Sequence, residues 1–190
     1  TGREERWDFG VERVSGRRFL LFASAGYDAH VVHLFHAVRK AGPSALVNMG
    51  LYVVWGLKSI LGYRPPRIRV ALDGLELPGT ASWVLVSNVA GYGGPLAFTP
   101  RARPDDGAFD VMIQTAPRTR DVFRLFWAGL LNFAFGGEYR MPDATIRKAR
   151  RIRLDSADGR PAAFQVDGDP SGHLPAEIEL IPGGVRVLRG

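Results

Sequence analysis

Three kinds of hydrophobic run follow one another along this chain, and each predicts an element. Strict alternation of apolar and polar residues marks half-buried strands. It appears in Arg6-Trp7-Asp8-Phe9-Gly10-Val11-Glu12-Arg13-Val14, and again over 67–72, where arginines alternate with Ile68, Val70 and Leu72. Ser15-Gly16 is a turn signal, so 17–25 is expected as the returning strand. Short apolar runs predict strands over 83–87, 109–115, 162–166, 176–181 and 185–188, and Ile alternating with basic residues predicts one over 144–154. Asp73-Gly74, Asp158-Gly159, Asp167-Gly168 and Gly183-Gly184 supply turns between them.

Longer segments carry helix signals. Asp28 can cap a helix running to Lys40, with Gly42-Pro43 as its stop; Ser44 caps a second over 45–61, and Thr119 a third over 120–135. The second contains Asn48, Gly50, Gly56 and Lys58. A membrane span needs about 20 predominantly apolar residues, so this segment reads as a core helix or one lying near a membrane surface. The aromatic helices around Trp55 and Trp127 could handle lipid, but core helices look the same in sequence. Many short strands with regular turns give a mainly β (α+β) fold class: one domain over 1–190, a sandwich or open barrel with about three inserted helices.

Composition narrows the partners. The 190 residues are 46% hydrophobic, ample for a core, and carry a net charge of +6. That charge favours nucleic acid, nucleotide phosphates or an acidic membrane. The densest basic run, Arg147, Lys148, Arg150, Arg151 and Arg153, lacks interleaved aromatics for base stacking, which disfavours nucleic acid. On a single strand, 147, 151 and 153 would share one face. The absence of cysteine excludes disulfides, thiolate metal sites and cysteine catalysis, and fits a cytoplasmic protein. The charged N-terminus shows no secretory signal. There is no G-x-x-x-x-G-K-[ST] loop, G-x-G-x-x-G, H-E-x-x-H or G-x-S-x-G.

Two places could carry chemistry. In Ser87–Ile113 a strand enters a loop with Gly93 and Gly94, and Asp105-Asp106-Gly107 precedes the next strand and Asp110. Glycines admit close approach of a ligand, and a turn offering a carboxylate and carbonyls suits a hard cation. Asp167-Gly168-Asp169-Pro170 follows an apolar strand, where a rigidly held carboxylate could accept a proton from a hydroxyl. Ordinary solvated turns are the default explanation of both sites. His30, His33 and His36 spread over about 120° of a helix and cannot all face one ion. His173 stands alone in a Gly/Pro loop.

Taken in order, several of these motifs resemble the diacylglycerol kinase-like lipid kinases, a family that includes sphingosine kinases and bacterial relatives of broad lipid specificity. The matching pieces are Ala-Ser-Ala-Gly-Tyr-Asp-Ala within 19–31, Ser87-Asn88 with Gly93-Gly94, Pro-Arg-Ala-Arg-Pro-Asp-Asp-Gly-Ala-Phe-Asp-Val over 100–111, and Val166-Asp167-Gly168-Asp169. The resemblance spans the whole chain but only the family's C-terminal half, a β-sandwich-like lobe of NAD kinase/diacylglycerol kinase type. The family's N-terminal nucleotide-binding lobe carries a Gly-Gly-Asp-Gly motif that these residues lack.

The resemblance implies Asp167 as general base on a lipid hydroxyl, with Asp169 where the family usually has Glu. It implies Asp106 as ligand of a structural Mg²⁺, completed by the carbonyls of Arg103 and Ala108. Asn88, Gly93 and Gly94 would lie near the cleft, and Asp28 on the substrate side. ATP would be bound mainly by the nucleotide-binding lobe, so the chain by itself is expected to be inactive. The implied partners are a lipid, that lobe and an anionic membrane surface, at the inner face of which the protein would sit peripherally. The acceptor lipid and a homo-oligomer stay open. So do a non-catalytic, basic membrane- or phosphate-binding domain and a NAD kinase relative with a soluble acceptor.

Overall fold

The computed structural model describes residues 3–41, 63–92, 97–115 and 143–189, with the helical positions 124 and 131. In chain order the elements are β1 (Arg3–Glu12), β2 (Arg18–Phe19), β3 (Phe22–Ala25), α1 (Tyr27–Ala41), β4 (Ile68–Leu72), β5 (Leu75–Glu76), β6 (Trp83–Ser87), β7 (Phe109–Gln114), β8 (Ala144–Ala149), β9 (Arg151–Ser156), β10 (Ala163–Val166), β11 (Asp169–His173) and β12 (Ala176–Arg189). The expected helix over 45–61 lies outside the described residues. So does the one over 120–135, apart from helical positions 124 and 131.

The strands form two six-stranded sheets, ordered β2-β1-β12-β9-β4-β5 and β11-β10-β3-β6-β7-β8. The main core lies between them. Ile68, Val70, Leu72, Ile152, Leu154, Ile178 and Leu180 of the first sheet meet Val84, Val86, Phe109, Val111, Ile113, Phe164 and Val166 of the second. The second sheet is covered on its far face as well, where Phe22, Trp83, Leu85 and Met112 pack with Tyr27 and Val31 of α1 and with Phe98. This difference explains the two strand signatures. β4 and β9 alternate buried and exposed residues, whereas β6 and β7 are buried at every position.

Three sequence expectations change. The strand expected over 17–25 bends at Leu20-Leu21, so that β2 joins one sheet and β3 the other. The strand expected over 144–154 likewise breaks at Arg150, and β8 and β9 fall in different sheets. Arg147 therefore does not share a strand face with Arg151 and Arg153. The strands expected over 176–181 and 185–188 are one strand, β12, whose pairing with β1 shifts register between Trp7 and Phe9.

β1 also inverts the usual pattern: Asp8, Gly10 and Glu12 are its buried positions, while Trp7, Phe9 and Val11 are half-buried. Both buried acids have partners. Glu12 accepts backbone bonds from Val14 (2.9 Å) and Ser15 (2.6 Å), and Asp8 from Gly107 (2.8 Å) and Gly183 (2.7 Å). The Phe19 ring fills the space over Gly10.

Candidate functional site

α1 starts directly behind β3, and Gly26 makes this possible. Its φ is +125°, and a Cβ there would lie 2.8 Å from the carbonyl of Ser82 and the Cα of Trp83. The first helical bond runs from His30 to the Gly26 carbonyl at 3.0 Å, so Gly26 is the cap. Asp28, expected to cap this helix, instead sits inside the first turn with its side chain turned onto the second sheet.

Asp28 is 6% exposed. Its Oδ2 accepts from the hydroxyls of Ser24 and Tyr92, and from Gln165 Nε2 at 3.4 Å. Its Oδ1 is buried and has no hydrogen-bond partner among the described residues. Burial pushes the carboxyl above the ordinary aspartate value, against the interactions with Ser24, Tyr92, the Ala29 backbone N–H and Gln165 that favour the ion. Burial, followed by the charge of Asp28, also pushes up the phenol of Tyr63. The surrounding wall is aromatic: Tyr92 lies against Phe22 and Phe98, and Tyr27 against Tyr63 and Trp83. Trp83 Nε1 is a second buried group with no hydrogen-bond partner among the described residues.

Gln165 connects this pocket to the Asp167 turn. Ser24 and Gln165 are direct cross-strand neighbours on β3 and β10. Gln165 Nε2 donates to Ser24 Oγ at 2.8 Å, and its Oε1 accepts from Gly168 N at 2.8 Å. Asp167 and Gly168 both have positive φ, +47° and +84°, the two-residue hairpin turn that Asp-Gly favours.

The Asp167 carboxylate accepts three backbone bonds from the segment that crosses between sheets: Oδ2 from Leu20 (2.8 Å), Oδ1 from Leu21 (3.0 Å) and Phe22 (2.9 Å). The carbonyls of that segment are met from the other side by Asn88. Asn88 Nδ2 donates to the Leu20 and Asp8 carbonyls, each at 2.8 Å, and its backbone N donates to Leu21. Asn88 is fully buried and braces the site from beneath. Asp169 is exposed beside Arg17, which is 3.5 Å from it and also donates to the Pro170 carbonyl at 2.6 Å. Gly93 and Gly94 lie outside the described residues. Tyr92, just before them, donates its hydroxyl to Asp28.

The Asp106 turn is reached through Asp8, which holds Gly107. Asp106 Oδ1 accepts from Ala108 N at 3.2 Å, and its Oδ2 lies 2.7 Å from Lys148 Nζ, which is also 2.8 Å from Asp110 Oδ2. Partial burial pulls the Lys148 amine down, but its bonds to Asp106 and Asp110 outweigh that and hold it above the ordinary lysine value. Mg²⁺ needs oxygen donors in a near-octahedral shell. A donor set whose two carboxylates already clasp an ammonium does not fit that ion.

The basic run disperses in the same way. Lys148 pairs with Asp106 and Asp110, and Arg153 pairs with Asp155 and Glu177. His33 Nε2 bonds the Phe164 carbonyl at 2.9 Å and its ring lies near His173, while His30 packs on Tyr63, its pKa lowered first by burial and then by His33. Sequence reasoning missed Asp8, Ser24, Tyr92, Lys148 and Gln165. For Ser24 and Gln165 a signal existed: each is a lone polar residue inside an apolar strand, and such residues are buried only with partners.

Residues 22–189 match the family described as the YegS C-terminal NAD kinase beta sandwich-like domain. The chain is 28% identical over 184 residues to a diacylglycerol kinase of Mycobacterium tuberculosis, covering 96% of this chain and 54% of that protein. A diacylglycerol kinase of Bacillus subtilis is 23% identical, covering 94% and 55%. The chain thus spans about half the length of these relatives. The crystal structure of a diacylglycerol kinase from Bacillus anthracis superimposes with a TM-score of 0.60 at 15% identity, over 99% of this chain and 55% of that one, a likeness that carries the fold.

Proposed function

We propose, from the premise that this chain belongs to the YegS C-terminal NAD kinase beta sandwich-like domain family, that it forms the acceptor side of an ATP-dependent lipid kinase. One observation carries the reading. A buried carboxylate, one oxygen of which has no hydrogen-bond partner among the described residues, sits in aromatic surroundings and is joined by one side chain, Gln165, to the turn that carries a strand-end aspartate. A buried polar atom without a partner costs about 1–3 kcal/mol, and a ligand that satisfies it recovers that cost. A hydroxyl on an apolar chain suits such surroundings, since it can donate to Asp28 Oδ1 while its hydrocarbon meets the aromatic wall.

Asp167 then faces the reacting hydroxyl. A carboxylate has about four lone-pair sites, and three here receive backbone N–H groups, which leaves one on Oδ2. Asp167 orients the hydroxyl through the remaining lone pair and accepts its proton. That suits phosphoryl transfer, in which the transition state is loose and positioning supplies most of the rate. Arg17, beside Asp169, brings a cation to the same tip. ATP is bound by an adjoining nucleotide-binding lobe, and the Mg²⁺ carried with it neutralises phosphate charge. The pairing of Lys148 and Arg153 with acids makes a purely electrostatic membrane-binding domain the weaker reading, although a lipid kinase must still visit a membrane. Among the described residues no helix is long and apolar enough to cross one.

The test is ATP-dependent phosphorylation of diacylglycerol in mixed micelles by the gene product that carries this chain with its nucleotide-binding lobe, run beside NAD as acceptor. Lipid phosphorylation is expected, with KM for lipid raised about tenfold or more in Asp28→Asn. Phosphorylation of NAD without lipid would replace this reading with that of a soluble-acceptor kinase.

A further inference from the structure

We infer that Lys148 is a built-in cation that does for the Asp106 turn what a bound divalent ion would do, so that this turn is held without metal. Asp110 is 5% exposed and directly opposite Lys148 in the β7–β8 ladder, and Asp106 stands four residues before it at the end of the turn. Two carboxylates at one place repel each other and need a positive charge between them. Lys148 supplies it, with its ammonium 2.7 Å from one and 2.8 Å from the other.

The register is what fixes the choice of residue. β8 pairs with β7 so that Lys148 faces Asp110, while Ala149 turns inward to the core beside Phe109. The ammonium therefore reaches the carboxylates from a strand that the core already holds in place. The remaining Asp106 oxygen is taken by Ala108 N, in the same turn that would have to bind the ion. The turn is further tied down by Asp8, which accepts from Gly107 at 2.8 Å and donates its own backbone N to the Pro104 carbonyl at 2.6 Å. A divalent ion at Asp106 Oδ2 would have to displace the lysine and would then face its charge at close range.

The experiment is thermal unfolding of the 190-residue chain in EDTA and in millimolar Mg²⁺, for the parent, Lys148→Met and Lys148→Arg. The parent is expected to melt within about 1 °C in the two buffers. Lys148→Met leaves Asp110 buried without its partner and should melt about 4 °C or more lower in EDTA, then recover in Mg²⁺ as the ion takes the vacated place. Lys148→Arg keeps the charge and should melt near the parent without responding to Mg²⁺. If Lys148→Met does not fold, the parent and Lys148→Arg decide. A parent that Mg²⁺ stabilises by several degrees would overturn the inference. So would a Lys148→Met protein as stable as the parent, or one that Mg²⁺ fails to restore.

Discussion

Asp73-Gly74 and Asp167-Gly168 are the same device used twice. Each is an Asp-Gly hairpin turn with both residues at positive φ, +50° and +89° in one, +47° and +84° in the other. Each aspartate reaches out to a segment that passes from one sheet to the other, where the backbone leaves one ladder and enters the next. Asp73 accepts from the N–H groups of Arg150 (3.0 Å) and Arg151 (2.8 Å), and Asp167 from those of residues 20–22. The clamp satisfies backbone donors that would otherwise lack partners.

The two differ in what lies behind them. The Asp167 turn is bonded through Gln165 to the buried carboxylate of Asp28. Among the described residues no comparable bond links the Asp73 turn to a buried acid. A strand-end aspartate in a tight turn is thus no evidence of catalysis by itself, and Asp73 is the control that shows it. What sets Asp167 apart is the connection of its turn, through Gln165, to the buried carboxylate of Asp28, whose Oδ1 has no hydrogen-bond partner among the described residues.

Removing the clamps compares them on stability alone. Asp167→Ala deletes three charge-assisted bonds and should cost about 3 kcal/mol, while Asp73→Ala deletes two and should cost about 1–2 kcal/mol. Urea unfolding of the two variants checks the order, and a larger loss at Asp73 would break the equivalence of the two turns.

Asp28 should respond in the opposite sense. Its folded-state pKa lies above its ordinary value of 3.8. Its contribution is therefore fully present below about pH 3.8 and is lost as pH rises through the folded value. Asp28→Asn keeps an acceptor for Ser24 and Tyr92 but cannot ionise. It should match the parent near pH 3 and melt about 2–4 °C higher at pH 7. A melting point below the parent's at pH 7 would mean that the charged carboxylate is needed for folding rather than for binding.

How much of this was legible follows from which face of each strand is covered. β4 could be read from Ile68, Val70 and Leu72, because its outer face is in water. The Asp-Gly turns could be read because their dihedrals admit few other residues. The breaks at Leu20-Leu21 and Arg150 could not, since both segments keep a strand-like pattern while changing sheets, and their partners lie far away in sequence. β1 misleads in another way: its inward positions are Asp8, Gly10 and Glu12, where distant backbone donors satisfy Asp8, the adjoining turn satisfies Glu12 and the Phe19 ring covers Gly10. Of the site, the motif order pointed to Asp28, Asn88, Asp106 and Asp167, but not to what each touches. Lys148 looked like one member of a basic run, and only the β7–β8 register reveals that it stands between two acids.

The most direct test of the central claim is kcat for lipid phosphorylation by Asp167→Asn and Asp73→Asn in the gene product that carries this chain, each corrected for its folded fraction. Asparagine at 73 can keep both of its bonds on one oxygen, so activity should stay within about twofold of the parent. At 167 it should fall about 100-fold or more, beyond what lost stability explains. Equal activity per folded molecule in the two variants would contradict the account and leave Asp167 a clamp like its twin.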